Sequence, residues 1–271
     1  MTATNPIGVF DSGVGGLSVL REIRRELPHE NLLYAADSGH APYGDKPAQL
    51  IKARSIAMVE FLASQNAKAI VVACNTATSA AIETLRAKFL IPIIAMEPAV
   101  KPAVAHTKSG VIGVLATSRT IASDSFAKLH NRFGTGVKIL MQACPGLVEQ
   151  VEAGDLSGDK TRALVGQYVL PLLAQHADTL VLGCTHYAFL ASLIREICGS
   201  SVAIIDPAAA IARELRRRLV AADLLSHEAC AGTEQFWSSA APDKTKQIIS
   251  QLWQRDVGVR SLPNVPVTEA T

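Results

Sequence analysis

The sequence is short of the marks of several familiar classes. Its 271 residues carry 26 basic and 24 acidic side chains, a net charge of +2. No excess of one sign marks a nucleic-acid or anionic-membrane partner. The densest basic run, RELRRR at 213–218, reads as the solvated face of a helix. No stretch reaches the roughly 18 to 20 apolar residues that a membrane span needs. The N-terminal MTATNPIGVFDSG has neither a basic n-region nor a long apolar h-region, so it does not read as a secretory signal. Cysteine is sparse, at 74, 144, 184, 198 and 230. The count is odd and the spacing wide, with no CxxC or Cys/His cluster, which argues against a disulfide framework and against a metal site. Reduced thiols in a cytoplasmic protein are the expectation. No tandem repeat of short period is present either.

A hydrophobic share of 49% excludes a disordered chain, and the length suits two domains better than one. Short apolar runs of strand length alternate with segments of helical period. Strands are expected at 7–10, 31–35, 69–73, 91–95, 110–115, 137–140, 179–183 and 202–205. Helices are expected near 16–26, 48–65, 77–88, 119–131, 160–175, 187–197 and 207–221. In the last forty residues, GTEQFWSSAAP reads as a late strand and 243–254 as a helix. Alternation of this kind gives α/β architecture with parallel sheets covered on both faces. Prolines at 98 and 102 mark one crossing, and Asp206-Pro207 marks a return. The expected arrangement is two doubly wound parallel-sheet domains, 98–206 and 1–97 plus 207–271. A weak internal echo relates them: AIVVACNT and TLVLGCTH align without gaps, cysteine on cysteine, 110 residues apart.

Ligands of open parallel sheets collect at the carboxyl ends of the strands. Those ends here carry Asp11-Ser12-Gly13-Val14-Gly15-Gly16, the Asp37–Gly44 segment, Cys74-Asn75-Thr76, Thr117-Ser118-Arg119-Thr120 and Cys184-Thr185-His186. Each has a plainer reading. DSGVGG resembles a phosphate loop but lacks the Lys-Ser/Thr of a P-loop and the G-x-G-x-x-G spacing of a dinucleotide site. Its glycines then serve a tight strand-to-helix turn, with Asp11 and Ser12 as helix caps. Tyr43-Gly44 after a proline suits a turn. Cys198 falls on an apolar helix face, Cys144 precedes Pro145-Gly146 and is read as structural, and Cys230 lies near the tail.

A thiol where a strand gives way to a helix faces unpaired N–H groups, which would lower its pKa from about 8.5 toward neutrality. Such a thiol is a base and a nucleophile. One alone suggests acyl transfer or hydrolysis. Two, one from each half across a cleft, suit a reaction that removes a proton from one face of a carbon and returns one to the other, as in a racemase or epimerase. Asp11 could take an ammonium; Ser12, Asn75, Thr76, Thr117, Thr120 and Thr185 could take carboxylates.

GVFDSGVGGLSVL, YAADSGHAPYG, VVACNTAT and LVLGCTHY resemble, in order and spacing, the four signature segments of the bacterial glutamate racemase family. The resemblance spans nearly the whole chain and weakens after about residue 225. It implies two α/β domains with the active site between them, and cofactor-independent interconversion of L- and D-glutamate, the D form feeding peptidoglycan. By motif position, Cys74 matches the base toward D-glutamate and Cys184 the base toward L-glutamate, assisted by Asp11 and His186. Asp11-Ser12, Tyr43-Gly44, Asn75-Thr76 and Thr185-His186 match substrate-binding pairs, Thr117 and Thr120 match threonines near a substrate carboxylate, and Glu152 aligns with a supporting glutamate. The chain departs from the family where Ala188 replaces the usual proline after CTHY and in CPGLVEQVEAG, which lacks a proline that many members have. It has no long N-terminal extension, so activation by a cell-wall precursor is not expected. The implied partner is glutamate, with no membrane or nucleic acid and with a homodimer among the assemblies the family allows. The rival readings are an aspartate-type racemase, a cysteine-dependent hydrolase and a non-catalytic binding module; near-neutral charge lends the last no support.

Overall fold

The computed structural model describes residues 2–133 and 136–263. The last eight residues of the expected 207–271 segment therefore lie outside the described residues, as do 134–135 of the 98–206 segment.

Among the described residues every strand pairing is parallel, and the strands form two sheets. The first contains β1 (Ile7–Asp11), β2 (Leu32–Ala36), β3 (Ala69–Val72), β4 (Ile93–Ala95), β9 (Glu234–Ser238) and β10 (Val259–Ser261), in the order β10-β9-β2-β1-β3-β4. The second contains β5 (Val111–Ala116), β6 (Lys138–Ala143), β7 (Thr179–Leu182) and β8 (Ala203–Ile205), in the order β6-β5-β7-β8. With strands counted from the start of each half, both sheets run second-first-third-fourth. The internal echo in the sequence is thus a repeat of topology, and the first sheet is extended by β9 and β10 on the β2 edge.

Side chains alternate across each sheet with the period of two that a strand imposes. Val9, Tyr34 and Val71 enter one core while Phe10, Ala35 and Val72 enter another. Leu180 and Leu182 of β7 face the first of these cores, and Val181 faces a third. Both faces are buried, which is why these strands read as unbroken apolar runs. The core shared by the two sheets is lined by α1 (Leu17–Glu26), α8 (Asp159–Ala174), α9 (Ala191–Cys198) and α10 (Ala208–Ala221). The outer faces are covered by α2 (Ala48–Ser64) and α3 (Asn75–Lys88) on the first sheet and by α4 (Val100–His106) and α6 (Asp124–Phe133) on the second.

Several elements differ from expectation. The expected helix over 119–131 is two, α5 (Ser118–Ile121) and α6, because Ser123 interrupts it: its hydroxyl donates to the Thr120 carbonyl at 2.7 Å and accepts the Phe126 N–H at 3.2 Å. The expected helix from 187 begins only at Ala191, after a 3-10 turn over Thr185–Leu190. The proline-marked crossing contains α4, with Pro102 in its first turn, where no intrahelical N–H bond is lost. Gly146, at φ +87°, starts α7 (Leu147–Glu152), an unexpected short helix. The late strand and helix are present as β9 and α11 (Pro242–Trp253). Among the described residues no helix is long and apolar enough to cross a membrane.

Candidate active site

Cys74 and Cys184 occupy the same slot, just past the third strand of each half, and line one cavity between the sheets. Ser12, Tyr43, Gly44, Asn75, Thr76, Thr117, Thr185 and His186 line it with them, joined by Pro42 and Val148. Asp11, Thr120 and Glu152 stand one layer behind, bonded to lining residues. The free space among these side chains is about 10 Å³, roughly one water-sized sphere. The walls are closed onto each other.

The two thiols have matched positions but unlike neighbours. Cys74 is the N-cap of α3, where its sulfur accepts the Ala77 N–H at 3.4 Å and donates to the Ser12 hydroxyl at 3.5 Å. The expected fall of its pKa does not occur. Burial, then the charge of Asp11, outweigh the Ser12 and Ala77 hydrogen bonds and push the thiol up to about 12. Cys184 precedes the 3-10 turn with no capping bond to its side chain, and its sulfur lies 3.7 Å from His186 Nδ1. One thiol is served by a hydroxyl and a helix amide, the other by an imidazole.

Behind each stands a carboxylate. Asp11 is fully buried; Oδ1 accepts the Gly13 N–H at 2.9 Å and the Ser12 hydroxyl at 3.3 Å, and Oδ2 accepts the Thr185 hydroxyl at 3.0 Å. Burial raises its pKa, against the pull of His186 and these hydrogen bonds. Glu152 Oε1 lies 2.7 Å from His186 Nε2 and accepts the Val14 N–H at 2.7 Å. Burial alone would discharge His186, yet the Cys184 sulfur and the Glu152 carboxylate raise its pKa well above the usual histidine range. Glu152 is thereby bonded to both a cavity-lining histidine and the glycine loop.

The glycine loop is shaped by the opposite wall, not by a phosphate or by turn geometry alone. A Cβ at Gly13 would fall 1.8 Å from Glu152 Oε1, and one at Gly15 would fall 2.4 Å from His186 Nδ1 and 2.5 Å from Thr185 Oγ1. Neither glycine has a positive φ, so the requirement is space. The Tyr34 phenol fastens the loop from below, donating to the Gly13 carbonyl at 2.6 Å.

The remaining residues form two polar groups. Thr76 Oγ1 lies 3.0 Å from Thr117 Oγ1 and 3.2 Å from Thr120 Oγ1, a cluster of hydroxyls joining α3 to the turn after β5. Asn75 is buried with both amide atoms unpaired, as is the Thr78 hydroxyl one turn on. Buried polar groups are usually satisfied, so an unpaired amide on a cavity wall marks a place for a ligand. Asp37, in the segment after β2, has a role that its place in the sequence does not reveal. It accepts Arg54 Nε at 2.9 Å and Nη2 at 2.7 Å, and the Tyr43 hydroxyl at 2.6 Å, so it fixes the turn carrying Tyr43-Gly44. Burial would raise its pKa, but Arg54 and Tyr43 hold it below the usual carboxylate value. Cys144, Cys198 and Cys230 line no part of this cavity. Among the described residues, no group of three or more His, Cys, Asp or Glu side chains is placed to hold a metal ion.

The family model for Asp/Glu/hydantoin racemases matches residues 7–215. The chain is 57% identical over 259 residues to the glutamate racemase of Methylococcus capsulatus, covering 96% of each chain. Its structure is similar to that of a glutamate racemase isoform from Bacillus anthracis, with a TM-score of 0.87 and 35% identity, covering 96% of this chain and 98% of that one. It is also similar to Escherichia coli glutamate racemase in complex with L-glutamate and the activator UDP-MurNAc-Ala, with a TM-score of 0.82 and 32% identity over 95% of this chain and 98% of that one.

Proposed function

The chain belongs to the Asp/Glu/hydantoin racemase family, and on that premise we propose that it interconverts L- and D-glutamate by moving one proton between two thiols, without a cofactor. The observation that carries the reading is the pair of cysteines lining one cavity from equivalent slots of two sheets, each with its own polar partner. An α-carbon held between them has an acid on one face and a base on the other. Glutamate is the substrate because near relatives over the whole chain are glutamate racemases, one of them seen with L-glutamate bound.

In the L-to-D direction Cys184 removes the α-proton and Cys74 delivers one to the opposite face. Cys74 suits that task as it stands, since burial and Asp11 keep it a neutral thiol near pH 7. In the reverse direction Cys74 must first lose its proton. A substrate ammonium beside Asp11 would offset the charge that holds that proton, so binding D-glutamate itself prepares the base. His186, held as imidazolium by Cys184 and Glu152, supplies or shelters the proton on the other side. Ser12, Tyr43, Gly44, Asn75, Thr76, Thr117 and Thr185 bind the substrate's charged groups, Thr120 backs the Thr76 and Thr117 hydroxyls, and the unpaired Asn75 amide is the place for one of those groups.

The segments 1–97 plus 207–271 and 98–206 are taken as the two halves that close on the substrate. A cytoplasmic role supplying D-glutamate for peptidoglycan, in a monomer or a homodimer, completes the reading. The test is incubation with each enantiomer in D₂O with no added cofactor, following α-deuterium uptake and optical rotation. Exchange and racemisation are expected with glutamate, and a loss of about 10² to 10⁴-fold or more in Cys74→Ala and in Cys184→Ala. No exchange with either enantiomer refutes the proposal. Exchange with aspartate alone assigns an aspartate-type racemase, and full activity in one of the two variants indicates single-thiol chemistry.

A further inference from the structure

The carboxylates behind the two thiols share an arrangement that the proton-transfer scheme does not require. Each is completed by a donor from the opposite wall. Asp11, at the end of β1 and behind Cys74, accepts the hydroxyl of Thr185, the residue that follows Cys184. Glu152, at the end of α7 and bonded to His186, accepts the N–H of Val14 from the loop after β1. Two further contacts cross the cleft beside them: Ser18 Oγ donates to the Thr185 carbonyl at 3.2 Å, and Ser38 Oγ to Glu152 Oε2 at 3.5 Å. Gly13 and Gly15 leave the room in which these groups meet. With about 10 Å³ between the walls, an amino acid enters only if they part, and parting breaks these cross-cleft bonds.

We propose that closure of the cleft completes both thiol supports at once, and that Gly13 and Val14 are positioning residues which hold Glu152 on His186 only when the walls meet. The inference rests on the proposed role of Cys184 as an acid–base group and adds to it a reason for the glycine loop. The groups facing His186 are Cys184 and Thr185 from its own segment, Glu152 from α7 and Asp11 from β1. Of these, Glu152 is the carboxylate bonded to the ring, and the same oxygen accepts the Val14 N–H from the opposite wall. An open cleft therefore leaves His186 a weaker hold on its proton, and proton transfer at Cys184 waits for closure.

The test uses the full chain as Gly13→Ala, which sets a methyl group against Glu152, and as Val14→Pro, which deletes the cross-cleft donor. Thermal melting identifies which variants fold. The His186 ring is titrated by NMR of protein carrying ¹⁵N-histidine, and racemisation is followed against pH. The expected result in a folded variant is a fall of about one pH unit or more in the His186 pKa. The alkaline limb of the L-to-D rate profile should shift the same way, with kcat reduced more than KM is raised. A folded variant whose His186 titrates as in the wild type overturns the inference. A wild-type protein that fails to racemise glutamate would refute the proposed function, while the ring titration still decides whether Val14 and Glu152 are coupled to His186.

Discussion

Burial gives Cys74 a measurable signature in stability as well as in chemistry. Burial and the charge of Asp11 push its pKa up to about 12 on folding, from about 8.5 for a free thiol. A group whose folded pKa is raised contributes stability that is complete below the unfolded value and is lost as pH climbs to the folded one. Between about pH 8.5 and about 12 the unfolded chain releases a proton that the folded chain retains. Wild-type stability relative to Cys74→Ala should therefore fall by about 1.4 kcal/mol per pH unit in that window. Urea unfolding of both proteins across the window checks this, and a difference independent of pH would place the thiol in a far more polar setting. Both thiols were legible as residues, since each ends an apolar run and meets Asn or Thr. Their surroundings were not. Helix N-termini favour thiolates, but whether that wins depends on how much water the fold removes, and Asp11 arrives at Cys74 from 63 residues away in sequence.

Asp37 shows how an element is fixed by one buried group. Its carboxylate takes two hydrogen bonds from Arg54 on α2 and one from Tyr43, so it joins the helix to the turn over the cavity. Asp37→Asn keeps the shape and removes the charge. It should cost about 3 to 5 kcal/mol, the usual price of breaking a buried pair, and raise KM for glutamate through the loosened Tyr43-Gly44 turn. Chemical denaturation and steady-state kinetics measure the two effects, and unchanged stability would show that the turn is held by other contacts. Strands and long helices were legible because both faces of a parallel sheet are buried and helical period persists over several turns. Short elements were not. α4 is seven residues long with a proline inside, α7 is six, and α5 is four, too short for period to declare itself. The glycine loop illustrates the deeper limit: DSGVGG has the composition of a turn or a phosphate cradle, and only the nearness of Glu152 and His186, more than a hundred residues later, shows what its missing side chains make room for.

At the scale of the whole molecule, two copies of one strand order face each other across a cavity with room for about one water-sized sphere. A ligand that fills it binds only the folded chain, so glutamate at about 100 times its Kd should add about 2.7 kcal/mol of stability, and aspartate at the same concentration less. Thermal unfolding with each amino acid decides this, and equal shifts would remove the argument for glutamate over its shorter homologue. The unlike surroundings of the two thiols meet a constraint set outside the protein. Enantiomers in water have identical free energies, so the equilibrium constant of racemisation is one and kcat/KM must be the same in both directions. In the proposed two-thiol reaction, the hydroxyl-and-amide setting of Cys74 and the imidazole setting of Cys184 therefore cannot make the enzyme prefer one mirror image at equilibrium. Whatever one wall gains by gripping its enantiomer more firmly is returned as slower turnover, and the asymmetry of the site is visible only in how each direction divides the same quotient between kcat and KM.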